Sequence, residues 1–391
     1  MRPGRIERPP TVPKTVTLSV ELRALNVVIS GIIIPYMLTI AQQIEEIEEV
    51  LKKTPHHKAT NGFIGAMRAK IARLKDKEVE TASKGSGGGG GYAVKKQGDA
   101  TVVLIGPPSA GKSTLINKVT NAESKVAAYA FTTVSVIPGM MKYKEAYIQI
   151  LDVPGLIEGA SIGKGKGKQV LSVARGADLL ILMTDPKRLN FLDKLIDELE
   201  KAGIRINKEK PKVRIEKKIA GGLTVRSNFK QDFDDLTVTN IANEFGIKNG
   251  EITLKQKLTI NQLVDSFSQR ITYKPAIFVV NKSDTFKGHR YEDLIYISAD
   301  TEDGLPELKE IIWKNLKLIT VYLVERDAKP NIDNSIIMKE GETLLDVANK
   351  IGNDFSQSTT LAKIWGNGAK FEGQEVALTT KVIDGMQIRF I

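Results

Sequence analysis

Apolar and polar positions alternate with different periods in different parts of the chain, and those periods divide it. From Ile40 the apolar residues fall at Ile40, Ile44, Ile47 and Leu51, one face of a helix, with glutamates on the other face. Thr54-Pro55 ends that helix. A second helix is predicted from Gly62 to about Val79, with Phe63, Met67, Ile71 and Leu74 on one side and Arg68, Lys70, Arg73, Lys75 and Lys77 on the other. Two such helices make a packing hairpin, or a helix-turn-helix-like unit as the rival reading. Residues 85–91 are nearly all glycine and read as a linker. Short apolar runs at 101–105, 146–151, 179–183, 276–280 and 294–297 then alternate with helical patterns, which predicts a doubly wound, mostly parallel α/β sheet.

The alternation stops between about 201 and 273, too long a gap for a loop, so an inserted α/β subdomain is expected there. A fresh pattern begins near 318: a strand at 319–324, a helix at 343–351 with Thr343 and Asp346 spaced as a capping box, and further strands to Ile391. Asp384-Gly385 reads as a hairpin turn. These cues imply a compact β-grasp-like module. The expected domains are an extension over 1–36, a helical hairpin over 37–84, a linker over 85–98, a sheet domain over 99–317 and the terminal module over 318–391.

The first 36 residues start proline-rich and carry an apolar run at 24–34, far short of the roughly 20 residues of a membrane span. Arg2, Arg5 and Arg8 precede the run and leave a signal peptide as a rival reading, but nothing after it looks secreted. The preferred reading is a non-native or disordered extension, with Met37 as the true start. The chain has no cysteine, which excludes disulfides and thiolate metal sites, and three scattered histidines make no metal site. The net charge of +11 favours a polyanionic partner, a nucleic acid or an anionic membrane surface. No helix pairs a basic face with a large apolar one, so stable membrane insertion is not expected. Residues 201–230 hold ten Lys and Arg against two acidic residues. Lys164, Lys166 and Lys168 alternate with glycines in a second basic stretch, whose bland reading is a solvated loop.

Gly106-Pro107-Pro108-Ser109-Ala110-Gly111-Lys112-Ser113 matches the phosphate-binding pattern G-x-x-x-x-G-K-[ST] and is followed by Thr114. Its glycines let backbone N–H groups turn onto a phosphate, Lys112 reaches the β- and γ-phosphates, and the Ser113 hydroxyl ligates Mg²⁺. Asp152-Val153-Pro154-Gly155 ends the second apolar strand, where Asp152 holds Mg²⁺ through water and the Gly155 N–H senses the γ-phosphate. Asn281-Lys282-Ser283-Asp284 ends another strand. The Asp284 carboxylate accepts from guanine N1–H and the 2-amino group, a pairing adenine lacks, and a buried carboxylate left unpaired rejects ATP. Asn281 is expected on the base edge and tethering the phosphate loop, the Lys282 stem on the ring, and the N–H of Ala299, after Ser298, at guanine O6. Phe131-Thr132-Thr133 lies where a threonine hydroxyl joins Mg²⁺, and Thr133 is chosen over Thr132.

With these residues in hand the chain resembles the Obg-related GTPases, and most closely the developmentally regulated GTP-binding proteins. The likeness rests on 106–114, Tyr129-Ala130-Phe131-Thr132-Thr133, 152–160, 163–169 and the glycine run before Tyr92. It implies a G domain with an inserted subdomain, a C-terminal TGS domain, GTP and GDP binding with Mg²⁺, and association with ribosomes or structured RNA. It also implies stimulation by K⁺, although Ser109 stands where K⁺-activated relatives often carry Asn, and in some members a stabilising partner protein. A cytoplasmic monomer is expected. Leu156 occupies the place where many GTPases carry a water-orienting Gln, so slow turnover is expected. The rival reading is an RNA-binding or assembly protein in which GTP only gates binding.

Overall fold

The computed structural model describes residues 25–29, 32–36, 38–84, 97–120, 137–153, 166–286 and 288–391. They form two compact units. One contains the described residues up to 84 together with 211–269, and the other contains the rest of the chain.

In the larger unit a six-stranded sheet runs in the order Ile295–Tyr296, Ala276–Val280, Leu179–Thr184, Ala100–Ile105, Ala146–Asp152, Ile137–Tyr143. All neighbours are parallel except the last pair, where Ile137–Tyr143 runs antiparallel to Ala146–Asp152. That edge strand was not anticipated from the sequence. It folds back through Lys144 and Glu145, both at positive φ (46° and 65°), the conformation of a two-residue hairpin whose twist matches the strands. Alternate residues of the central strands enter opposite cores. Val102 and Leu104 pack with the helices Lys112–Val119 and Leu305–Leu316, and Val103 and Ile105 with Lys166–Gly176 and Phe191–Lys201. A sheet covered on both faces carries a continuous apolar run in each strand, and both Ala100–Ile105 and Leu179–Thr184 are buried throughout.

The expected insert at 201–273 is too wide. Ile204–Ile206 and Thr272–Lys274 pair with each other in parallel, and Ile204 and Ile206 belong to the core of the larger unit. The segment inserted into the larger unit's chain therefore begins at Pro211 and ends at Gln269. It contains a three-stranded sheet, Val213–Lys217, Gly250–Leu254 and Leu223–Ser227 in spatial order, covered on one face by the helices Asp235–Glu244 and Ile260–Phe267. Asp234 caps the first of these through the Thr237 N–H (2.8 Å), and Thr259 with Gln262 forms a capping box on the second. The helical hairpin, Ile40–Lys53 and Asn61–Lys84, is not a domain of its own, because Ala69 and Ala72 complete the same core as Val238 and Ile241.

The C-terminal module has a five-stranded mixed sheet in the order Asn334–Lys339, Leu318–Leu323, Met386–Phe390, Leu361–Gly366, Gln374–Ala377. Leu344 and Val347 of the helix Leu344–Ile351 fill its core, and Thr343 with Asp346 forms the expected capping box. This is the β-grasp arrangement. Asp384-Gly385 is a turn but not a hairpin. The Asp384 carboxylate accepts from the Thr320 N–H and the Gly385 N–H donates to Thr320 O, both at 2.8 Å, so the turn is anchored to a strand distant in sequence.

Leu25–Ile29 and Ile32–Tyr36 pair antiparallel, so this part of the expected extension is a β-hairpin. Its β-branched residues favour that pairing. Among the described residues no helix is long and apolar enough to cross a membrane.

Candidate nucleotide-binding site

The phosphate-loop sequence joins the buried strand Ala100–Ile105 to the helix Lys112–Val119. Ser109 (φ 61°) and Gly111 (φ 88°) hold left-handed conformations, which turn the loop sharply above the helix N-terminus. A Cβ on Gly106 would meet Met183 O at 2.2 Å, and one on Gly111 would meet Asn281 Nδ2 at 2.2 Å, so neither position admits a side chain.

Lys112 lies buried beneath the loop, its Nζ donating to Gly106 O and Pro107 O at 3.1 Å. Burial lowers its pKa. The negative Asp152 opposes that shift, and Arg188 adds to it. The Ser113 hydroxyl donates to Asp152 Oδ2 at 3.0 Å, and Asp152 Oδ1 is buried with no hydrogen-bond partner among the described residues. Burial pushes the Asp152 carboxyl above its ordinary range, against the pull of Lys112 and the Ser113 hydrogen bond. A hydroxyl and a carboxylate with a spare buried oxygen form a hard oxygen donor set of the kind that suits Mg²⁺.

Asn281 ties the site together. Its Nδ2 donates to Ala110 O and its Oδ1 accepts from the Ala299 N–H, both at 2.9 Å. One buried side chain thus links the phosphate loop to the Ser298-Ala299 turn. The Ala299 N–H, expected at guanine O6, is given to Asn281 here. Lys282, at φ 63°, donates from Nζ to Ser109 O at 2.9 Å. Asp284 is exposed, which corrects the expectation of a carboxylate already buried. Discrimination at Asp284 then depends on the base covering it. Ser298 is buried, and its hydroxyl accepts from the Thr301 N–H at 3.3 Å. Phe131, Thr132, Thr133 and Gly155 lie outside the described residues, as do Leu156 and Lys164.

Sequence reading missed Asp185 and Arg188. They follow the strand Leu179–Thr184 and form an ion pair, with Arg188 Nε 2.9 Å from Asp185 Oδ2. Arg188 Nη1 also donates to Pro108 O at 3.0 Å, a second cation bracing the loop one residue before the carbonyl that Lys282 holds. The available signal was an Asp-Pro pair at the C-terminal end of a buried strand, the same topological position as Asp152.

Family models match in three consecutive stretches. Residues 101–218 match one described as a 50S ribosome-binding GTPase, residues 220–318 one described as the C-terminal region of that domain, and residues 319–391 the TGS domain. An uncharacterised GTP-binding protein of Methanocaldococcus jannaschii is 42% identical over 362 residues, covering 89% of this chain and 92% of that protein. Developmentally-regulated G-protein 3 of Arabidopsis thaliana is 39% identical over 351 residues (87% and 95%). Human developmentally-regulated GTP-binding protein 2 is 35% identical over 348 residues (87% and 96%). The solved structure of the Schizosaccharomyces pombe YchF GTPase aligns with a TM-score of 0.41 at 15% identity, covering 76% of this chain and 99% of that one.

Proposed function

The chain belongs to the family of developmentally regulated GTP-binding proteins, and from that premise we propose that it is a Mg²⁺-dependent GTPase switch of slow intrinsic turnover, whose nucleotide states differ in affinity for a ribosome or structured RNA. The observation that carries the nucleotide reading is Asn281, whose single side chain holds the phosphate loop and the Ser298-Ala299 turn in one buried unit.

On nucleotide binding Lys112 exchanges the carbonyls of Gly106 and Pro107 for phosphate oxygens, at little cost because the ammonium is already desolvated. Loop N–H groups and the N-terminus of Lys112–Val119 face the same anion. The Asp284 carboxylate accepts the two donors of the guanine edge. Ser113, with Asp152 behind it and Thr133 in the triphosphate state, would hold Mg²⁺, which supplies positive charge against the developing charge of the transferring phosphoryl group. Leu156 has no group to orient water, so hydrolysis rests on positioning and charge stabilisation.

GTP is expected to bind at least about a thousandfold more tightly than ATP, because a site built to receive hydrogen-bond donors is left unpaired by adenine. Calorimetry with both nucleotides tests this, and comparable affinities would overturn it. Asp284→Asn should move preference toward xanthine nucleotides. Replacing KCl by NaCl in the hydrolysis assay tests K⁺ stimulation. For the partner, the support is the +11 charge and the ribosome-binding description of the matching family model. Co-sedimentation with ribosomes at two salt concentrations, with GDP and with a non-hydrolysable GTP analogue, is the test. Absence from the pellet at low salt in both states removes the ribosome, and equal binding in both removes the switch.

A further inference from the structure

The three-stranded sheet of the smaller unit has one face in the core and one in solvent. Val213, Ile215, Leu223, Val225, Ile252 and Leu254 pack inward. Side chains alternate along a strand, so Arg214, Glu216, Thr224, Arg226, Glu251 and Thr253 lie on the opposite face. The register sets Thr253 of the central strand between Arg214 on one side and Arg226 on the other. One step further along, the Lys255 N–H donates to Lys212 O at 3.0 Å, which continues the cationic rows with two exposed lysines. Same-face neighbours along a strand are about 7 Å apart, comparable with the step between successive phosphates of an extended single strand.

Two carboxylates share this face, and basic groups hold both. Arg214 pairs with Glu216, and Arg226 Nε lies 2.9 Å from Glu251 Oε1. The two arginine side chains remain 67% and 66% exposed. Exposed pairs of this kind are worth little and exchange readily for a phosphate. Past the end of Leu223–Ser227, at the end of the sheet that carries Lys255, stands Phe229, a large aromatic residue that is 49% exposed, followed by Lys230.

We infer that the outward face of this sheet binds single-stranded RNA, with phosphates on Arg214, Arg226 and Lys255 and a base stacked on Phe229. The inference rests on the RNA reading proposed above and locates it. Cations in rows beside an exposed aromatic ring are the means by which proteins hold single strands. The hydroxyl of Thr253, between the two arginines, and that of Thr224, opposite Glu251, offer partners for the ribose 2′-OH, which favours RNA over DNA. Among the described residues the outward strand positions of this sheet are arginine, glutamate and threonine, with no apolar side chain among them.

The test is fluorescence anisotropy of the full chain with a labelled single-stranded RNA of about 16 nucleotides, measured across salt concentrations, with GTP hydrolysis as the control for folding. The triple variant Arg214→Ala, Arg226→Ala, Lys255→Ala is expected to lower the slope of log affinity against log salt by about 2, roughly 0.7 for each lost phosphate contact. Phe229→Ala is expected to weaken binding about tenfold with the slope unchanged. Glu216→Gln with Glu251→Gln is expected to tighten binding by freeing the arginines. Hydrolysis stays at the wild-type rate in every variant. Wild-type affinity in the triple variant overturns the location and leaves the RNA reading standing. Failure of the wild-type chain to bind at low salt overturns the single-strand inference, while the ribosome reading stands or falls on the co-sedimentation test above. DNA competing as well as RNA overturns the choice of RNA, and polyglutamate or phosphatidylserine vesicles displacing the probe as well as RNA does so too.

Discussion

The six-stranded sheet around Ala100–Ile105 is buried on both faces, whereas the three-stranded sheet around Gly250–Leu254 is buried on one and presents charge on the other. In the first, only the strand ends are free to do chemistry, and Asp152, Asp185 and Asn281 all stand at C-terminal ends. In the second, a whole face is available, but its groups are solvated and individually weak. Burial couples polar groups tightly and makes each one expensive to remove, while exposure leaves them exchangeable. A switch needs the first kind of site and a charge-complementary docking surface the second.

The largest expected effect is at the buried end. Lys112→Ala should reduce GTP hydrolysis by about a thousandfold or more, roughly 4 kcal/mol of transition-state stabilisation. Single-turnover assays measure this, and near wild-type rates would mean that the chemistry is not at these strand ends. Leu180→Ala, fully buried in the same sheet, should lower unfolding stability by about 3 kcal/mol. Urea denaturation followed by a probe in the larger unit checks it, and a loss below 1 kcal/mol would mean that this core tolerates a cavity. Asn281→Ala leaves Ala110 O and the Ala299 N–H without their buried partner and should cost about 2 kcal/mol in GDP affinity. Unchanged affinity by calorimetry would show that the two loops hold their positions without it.

Asp152→Asn separates function from stability. Burial holds the folded-state pKa of Asp152 above that of the unfolded chain. Between the two values the folded state binds more protons, so stability falls as pH rises through that window and stays lower above it. The variant removes this effect, so without nucleotide or metal it should melt above wild type at neutral pH, while Mg²⁺-dependent GTP binding is lost. A lower melting temperature would mean that attraction to Lys112 outweighs burial. Asp185 behaves oppositely. Burial opposes its charged form, but Arg188, with the Lys187 N–H and Lys282, outweighs it and lowers the pKa, so its contribution is lost as pH falls. The smallest effect belongs to the other sheet. Thr224→Ala, on the exposed face, should change stability by less than about 0.5 kcal/mol.

Much of this organisation was legible because it follows from local rules. Continuous apolar runs marked the buried parallel strands, and the strand Ala276–Val280 has the boundaries its pattern predicts. Gly111 and Lys112 were recognisable because a phosphate loop requires those residue types at that spacing. Thr343 with Asp346 announced its helix because a capping box is closed within four residues. By contrast, Ile204–Ile206 and Thr272–Lys274 were assigned to the insert because their partners lie some 70 residues away, where no periodicity reaches. Asp384-Gly385 carries the residues of a hairpin turn, yet its hydrogen bonds go to Thr320 and to the Asn367 side chain. The helical hairpin gave no sign that Ala69 and Ala72, outside the expected stripe of Phe63, Met67, Ile71 and Leu74, would complete another segment's core.

The sequence by itself determined which residue types stand at the strand ends, where the helices Ile40–Lys53 and Leu344–Ile351 start, and that the chain carries an excess of positive charge. Each of these is settled by neighbours within a few positions. Only the tertiary structure decided that Asn281, expected to tether the phosphate loop, also takes the Ala299 N–H, that Arg188 braces Pro108, and that Arg214 and Arg226 flank Thr253 on one face. Those contacts join residues far apart in sequence, and they form because burying the apolar side of each element leaves its polar side a single place to go.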